Sequence, residues 1–183
     1  MCAVPSVANL FCRWSKQENE RSRMKRAYLS LGSNLGDRRA NIERALARLE
    51  SAGVHVFRVS AFYRTEPVGY KPQPWFLNCA AEAKTDLMPL QLLRRCQAVQ
   101  RELGRRPVVR NGPRAIDIDI LLYEGAILHS AELTIPHPRM AERRFVLVPL
   151  SEIAGGEQHP VTQRTIREML GETADRSGVL KLG

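Results

Sequence analysis

Residues 110–123 read Arg-Asn-Gly-Pro-Arg-Ala-Ile-Asp-Ile-Asp-Ile-Leu-Leu-Tyr, which sets Asp117 and Asp119 two positions apart inside a β-branched apolar run. A strand's period of two sends Ile116, Ile118 and Ile120 to one face and both aspartates, with Leu121, to the other. Their Cα atoms then stand about 6.5 to 7 Å apart. Two ionised carboxylates that close, on a strand otherwise made of core residues, repel each other and lose hydration unless a cation lies between them. Magnesium suits the pair, because it takes hard oxygen ligands and commonly uses one or two protein carboxylates together with phosphate oxygens and water. The ordinary alternative for an Asp-x-Asp is an exposed edge strand, or pairing with arginines. Arg105, Arg106, Arg110 and Arg114 come just before it, with no acid between Glu102 and Asp117. Simple ion pairing does not need four guanidinium groups. A polyphosphate carried by a metal does, with the cation on the acids and the free phosphate oxygens on the arginines.

The elements that must position these groups alternate along the chain. Residues 27–31 form a short apolar strand ending in Gly-Ser-Asn-Leu-Gly-Asp at 32–37. Asp37 can cap a helix whose Ile42, Ala45, Leu46 and Leu49 follow helical spacing and which Gly53 ends. Residues 54–63 are strand-like, 64–74 a Pro- and Gly-punctuated loop, and 76–84 a third strand. Residues 89–103 make an amphipathic helix with Pro89 at its start and Gly104 at its end. The arginine loop and the aspartate strand follow, and 141–153 and 165–170 are further helical pieces. Strand, helix, two strands, helix, strand is the split βαβ order of an α+β, ferredoxin-like α/β sandwich with a mainly antiparallel sheet, here carrying extra C-terminal helical segments.

The chain has 183 residues, 44% of them hydrophobic, which is enough for one domain with a real core. The formal charge is +9, but residues 1–26 hold six basic and two acidic side chains, leaving a modest +5 for the rest. That balance does not ask for a nucleic-acid partner. No apolar run reaches membrane-span length. Cys2, Cys12, Cys79 and Cys96 have neither metal-ligand spacing nor a disulfide framework, so they read as reduced cytosolic thiols, with Cys79 and Cys96 buried. Residues 1–26 are expected to be a disordered extension, and 27–183 the domain. Gly-Ser-Asn-Leu-Gly-Asp lacks the Lys-Ser/Thr of a Walker A loop and the G-x-G-x-x-G of a dinucleotide fold, so a tight turn explains it as well as phosphate cradling does.

Six stretches resemble the 6-hydroxymethyl-7,8-dihydropterin pyrophosphokinase family in order and spacing. They are Leu-Ser-Leu-Gly-Ser-Asn-Leu-Gly-Asp (29–37), Ser-Ala-Phe-Tyr-Arg-Thr-Glu-Pro (60–67), Phe-Leu-Asn (76–78), Glu-Leu-Gly-Arg (102–105), Asn-Gly-Pro-Arg-Ala-Ile-Asp-Ile-Asp-Ile-Leu-Leu-Tyr (111–123) and Ile-Pro-His-Pro-Arg-Met (135–140). The resemblance implies transfer of pyrophosphate from ATP to a pterin alcohol in folate biosynthesis, with small-molecule substrates, a monomeric chain and a cytoplasmic location. It implies that Asp117 and Asp119 hold two magnesium ions and, with Arg105 and Arg114, carry catalysis. Gln97, Arg105, Arg110, Arg114, His137 and Arg143 match positions that face ATP. Thr65, Pro67, Val68, Phe76, Asn78 and Phe145 match the pterin site, where the two phenylalanines would sandwich a flat bicycle and the Asn78 amide would meet its polar edge. On residue chemistry alone His137 is as well explained as a structural histidine between two prolines, and the two phenylalanines as core.

The chain departs from the family pattern at three places. Many relatives carry a second arginine where this sequence has Pro107, a tryptophan at Asn111 and an acid at Gln100. Arg106 and Arg110 can supply the charge, but the closing of this loop over the pterin cannot be carried over unchanged. Two rival classes remain: an RNA-recognition module, which two acids on a central strand would oppose, and another magnesium-dependent nucleotidyl, phosphoryl or glycosyl transferase, which Asp-x-Asp permits.

Overall fold

Strand β1 (Lys25–Ser33) buries all but its first two residues and runs through the middle of the sheet. β4 (Phe76–Thr85) lies antiparallel on one side of it and β5 (Asp117–Tyr123) antiparallel on the other. The far side of β4 is shared: β2 (His55–Val59) pairs with one end and β3 (Tyr63–Thr65) with the other, and β8 (Val179–Lys181) adds to β3. Every pairing is antiparallel. The computed structural model describes residues 24–105 and 112–182. The expected N-terminal extension up to residue 23, Cys2 and Cys12, and the loop positions Arg106, Pro107, Arg110 and Asn111 lie outside the described residues.

Several element boundaries differ from the sequence reading. β1 starts at Lys25, so Lys25 and Arg26, expected in the extension, pair with Thr85 and Lys84. Their charged heads disguise the strand, yet an end residue of a sheet leaves such a head in water. The expected strand over 54–63 is split, because the backbone N–H of Ala80 donates to Ser60 Oγ at 3.0 Å while Ser60 N–H donates to Ala80 O at 2.9 Å. A side chain thus replaces a ladder acceptor, and β2 and β3 leave the junction separately.

Helix α1 (Arg38–Ser51) starts at Asp37, whose carboxylate accepts the Ala40 N–H at 3.0 Å. α2 (Pro89–Glu102) starts with proline, whose missing N–H costs nothing in a first turn. Both pack on one face of the sheet: Ile42, Ala45 and Leu49 of α1 and Leu92, Cys96 and Val99 of α2 meet Leu29, Leu31, Ile116, Ile118 and Ile120. Each fully buried Leu or Ile there contributes roughly 1.5–3 kcal/mol. Cys79 and Cys96 are buried free thiols, their pKa pushed up to about 12 by burial.

The C-terminal helices α3 (Arg144–Ala154) and α4 (Ile166–Glu172) cover the other face. Val146, Leu147, Leu150, Ile166 and Met169 pack on Tyr28, Ala80, Leu121 and Leu122. A capping box between Thr165 and Glu168 starts α4 one residue later than its predicted limit. A short hairpin of β6 (Leu128–His129) and β7 (Thr134–Ile135) precedes them. The molecule is therefore α+β, with helices on both faces of an antiparallel sheet. Beyond Tyr28 and Leu121 the second face carries Ser30, Gly32, Asn78, Asp117 and Asp119, and these line an open cleft.

Candidate functional site

The cleft has a volume of about 660 Å³. Its floor is set by register: Gly32 lies opposite Asp117 and Ser30 opposite Asp119 across the β1–β5 pair. Small residues on β1 leave both carboxylates uncovered. As the period of two requires, Ile116, Ile118 and Ile120 go to the helical core and the aspartates to the cleft.

Asp117 sits between two arginines. Arg105 Nη1 donates to its Oδ1 at 2.8 Å and Arg114 Nη1 to its Oδ2 at 2.7 Å. Burial, and next the charge of Asp119, raise the Asp117 carboxyl above its ordinary value, while Arg114, Arg105 and Arg143 pull the other way. Asp119 makes no hydrogen bond or ion pair among the described residues. β5 is indeed an edge strand and one of its acids is paired with arginines, so the ordinary alternative for this motif is part of the geometry. It does not exhaust it, because Asp119 and the outer face of each guanidinium remain open to the cleft. No group of three or more His, Cys, Asp or Glu side chains among the described residues could enclose a metal. Two carboxylates that repel each other on one strand face fit magnesium that arrives with phosphate and water as its other ligands.

Arg105 is placed by the end of α2. Gly104 takes a left-handed φ of +85°, Gly104 N–H donates to Arg101 O at 3.1 Å and Arg105 N–H to Gln100 O at 2.9 Å. This pair of bonds folds the chain back over the last turn, which points the arginine towards β5. Arg114 is placed by Asn34: its backbone N–H donates to Asn34 Oδ1 at 2.7 Å, and Asn34 N–H returns a bond to Arg114 O at 3.1 Å. Asn34 Nδ2 also donates to Gln73 Oε1 and Pro74 O. The glycine-containing turn at 32–37 therefore acts as a clamp, joining the end of β1 to two loops.

His137 N–H donates to Leu121 O at 2.9 Å, which fixes the residue beside β5. Its Nδ1 accepts the Arg139 N–H at 3.2 Å, so the neutral ring carries its proton on Nε2. Burial first, then Arg143 and Arg139, lower its pKa to about 4. Arg143, just before α3, is half-buried, and burial and Arg139 depress its own pKa.

The cleft is also lined by aromatic rings. Phe76 and Phe145 both line it, with the Arg114 guanidinium 5.8 Å from the centre of the Phe76 ring and that of Arg143 5.5 Å from Phe145. Asn78 is buried and its Nδ2 donates to Thr65 Oγ1 at 2.6 Å. That leaves Oδ1 and one N–H of the amide for a ligand.

Eleven expected site residues thus share one cleft: Thr65, Val68, Phe76, Asn78, Arg105, Arg114, Asp117, Asp119, His137, Arg143 and Phe145. Pro67 is buried and Gln97 is exposed on α2; neither lines it. Arg110 lies outside the described residues. Sequence reasoning missed Ser30, Gly32 and Arg139 in the lining and Asn34 behind it. The alternation of Tyr28, Ser30 and Gly32 against Leu29 and Leu31 was a legible signal for the first two.

Comparison with known proteins follows the same lines. The family model described as 7,8-dihydro-6-hydroxymethylpterin-pyrophosphokinase matches residues 28–155. The 2-amino-4-hydroxy-6-hydroxymethyldihydropteridine pyrophosphokinase of Bacillus subtilis is 46% identical over 154 residues, 84% of this chain and 87% of that protein. The Methylorubrum extorquens protein of the same name is 46% identical over 162 residues, 85% of this chain and 98% of its own. The folic acid synthesis protein fol1 of Schizosaccharomyces pombe is 44% identical over 161 residues, but this chain spans only 22% of it. A crystal structure of Plasmodium falciparum HPPK-DHPS superposes with a TM-score of 0.66 at 16% identity, covering 81% of this chain and 45% of that one, which supports the fold.

Proposed function

The chain belongs to the 7,8-dihydro-6-hydroxymethylpterin-pyrophosphokinase family, and from that premise we propose that it transfers pyrophosphate from ATP to the hydroxymethyl oxygen of 6-hydroxymethyl-7,8-dihydropterin. The products are AMP and the pterin diphosphate, an intermediate of tetrahydrofolate biosynthesis. One observation carries the reading: a single cleft holds Asp117, Asp119 and four arginines together with two aromatic rings and a buried carboxamide.

The geometry supports a division of labour. Phe76 and Phe145 hold the pterin by its faces, and Asn78, with the backbone of Thr65 and Val68, reads its polar edge. The hydroxymethyl oxygen attacks the β-phosphorus of ATP and releases its proton to solvent, the bond from that phosphorus to the α–β bridging oxygen breaks, and AMP leaves with the electron pair. Arg105, Arg114 and Arg143 bind phosphate oxygens whose charge grows as that bond breaks. His137, with Nδ1 already accepting, offers Nε2–H and is suited to donate to phosphate rather than to take a proton. Arg110 adds to the nucleotide contacts on the strength of the resemblance, whereas Gln97, exposed on α2 and outside the cleft, is left without that role. Asp117 and Asp119 would hold two magnesium ions, which supply neutralisation of triphosphate charge when bound. Asp117 would serve that role in addition to pairing with its two arginines, whose guanidinium groups would turn towards phosphate oxygens on nucleotide binding. A monomer acting in the cytoplasm belongs to the same reading; no described helix is long and apolar enough to cross a membrane.

Incubation with ATP, magnesium and the pterin alcohol tests the reading. AMP and a pterin diphosphate in equal amounts are expected; ADP as the nucleotide product, or no turnover, overturns it.

A further inference from the structure

Gln100 lies in the last turn of α2, 4% exposed, on the core side of β5. Its Oε1 accepts two hydrogen bonds: one from Ile118 N–H at 2.9 Å and one from Arg105 Nη1. The first donor is the backbone amide between the two aspartates. Among the described residues β5 is an edge strand, so an outward N–H at that point has no described strand beside it to accept it, and the Gln100 amide supplies the acceptor. The second donor is the nitrogen that also reaches Asp117 Oδ1. Gln100 additionally takes the Arg105 N–H on its own carbonyl oxygen.

Resting on the reading of the cleft given above, we propose that Gln100 is a positioning residue, which sets the strand carrying Asp117 and Asp119 and aims Arg105 at the same time. Both acid and base of the phosphate end are therefore referred to one side chain. The choice of amide over carboxylate matters. A third carboxylate would compete with Asp117 for Arg105 and add like charge behind the acid pair, whereas the amide accepts both bonds and leaves the guanidinium charge for Asp117 and for substrate. Nη1 of Arg105 is thus held between Gln100 and Asp117 in the wall of the cleft.

The test uses the full chain and three variants: Gln100→Leu, Gln100→Glu and Arg105→Ala, with the Leu and Ala changes also combined. Gln100→Leu should lower the affinity for a non-hydrolysable ATP analogue with magnesium, and lower kcat, each on the order of 10- to 100-fold, as expected when a catalytic cation is misplaced by about 1 Å. KM for the pterin should hardly move. The combined variant should lose less than the two single changes added together, because the part of the Gln100 effect that passes through Arg105 is already gone while the part that sets β5 remains. Gln100→Glu keeps an acceptor for Ile118 N–H, so its melting temperature should stay near wild type, yet its nucleotide affinity should fall through competition for Arg105. Losses that add in the combined variant, a Gln100→Leu variant altered only in melting temperature, or wild-type nucleotide affinity in both Gln100 variants would overturn the proposal. Nucleotide binding is read without pterin. A wild type that binds nucleotide but makes no AMP would sink the proposed reaction and leave the role of Gln100 to be judged by affinity alone.

Discussion

Gly32 and Asn78 face each other across the β1–β4 pair, and the Asn78 amide oxygen occupies the place where a Cβ on Gly32 would stand. The glycine is needed for close approach. Its absent side chain lets a buried carboxamide lie over the strand and present its free edge to the cleft.

Gly32→Ala should therefore push the amide off Thr65, with a stability loss of about 1–3 kcal/mol from overpacking. Pterin affinity should fall more than nucleotide affinity, since the arginines and aspartates are held by other elements. Parallel titrations of pterin and of an ATP analogue, with a thermal melt, measure both; unchanged pterin affinity would mean that Asn78 does not read the ligand.

Asp117→Ala and Asp119→Ala should each abolish most AMP formation, and so should chelation of magnesium, but the apo proteins should diverge in stability. Asp119 makes no bond among the described residues and raises the Asp117 carboxyl, so its removal should lower the Asp117 pKa and leave stability equal or higher. Asp117 neutralises Arg105 and Arg114, so its removal should cost roughly 1–3 kcal/mol by leaving two part-buried guanidinium groups unpaired. Chemical denaturation and carboxyl NMR decide the matter. Equal stability of the two variants would count against the arginine pairing.

Stability should fall on acidification below pH 6.5, and His137 supplies part of the fall. Its pKa drops from 6.5 to about 4 on folding. Between those values the unfolded chain binds the proton and the folded chain does not, so the contribution is full above 6.5 and is lost as the pH falls to about 4. His159, lowered by burial, acts with the same sign. His137→Gln, which keeps a donor, should flatten the decline in melting temperature over that window without erasing it. A His137 ring that titrates near 6.5 by NMR would refute the assignment.

Phe76→Ala and Phe145→Ala should each weaken pterin binding by about 1–3 kcal/mol, the usual worth of one stacking partner. Nucleotide binding should change less, because the guanidinium groups of Arg114 and Arg143 that now lie over these rings remain tied to Asn34 through the backbone and to the start of α3. Equal losses for both ligands would show that the rings serve to hold the arginines rather than to stack on substrate.

Local pattern alone determined much of this protein. Period two in residues 116–121 placed the aspartates on one face and the isoleucines in the core, helical spacing and the caps at Asp37, Pro89 and Gly104 located α1 and α2, and their order implied the split βαβ sheet. Each of those signals lies within a few residues of its effect. Partners far apart in sequence were settled only by the tertiary structure. Asn34 meets Arg114 across 80 positions, Gly32 makes room for Asn78, and β8 exists only because β3 offers it an edge. The reach of Gln100 to Ile118 and Arg105 belongs to the same class, since α2 must first dock on the sheet before an amide in its last turn can meet the edge of β5. Gln97, three residues earlier on the same helix, stands in solvent for the same reason: a family position names a residue, but the face it occupies depends on how the helix packs.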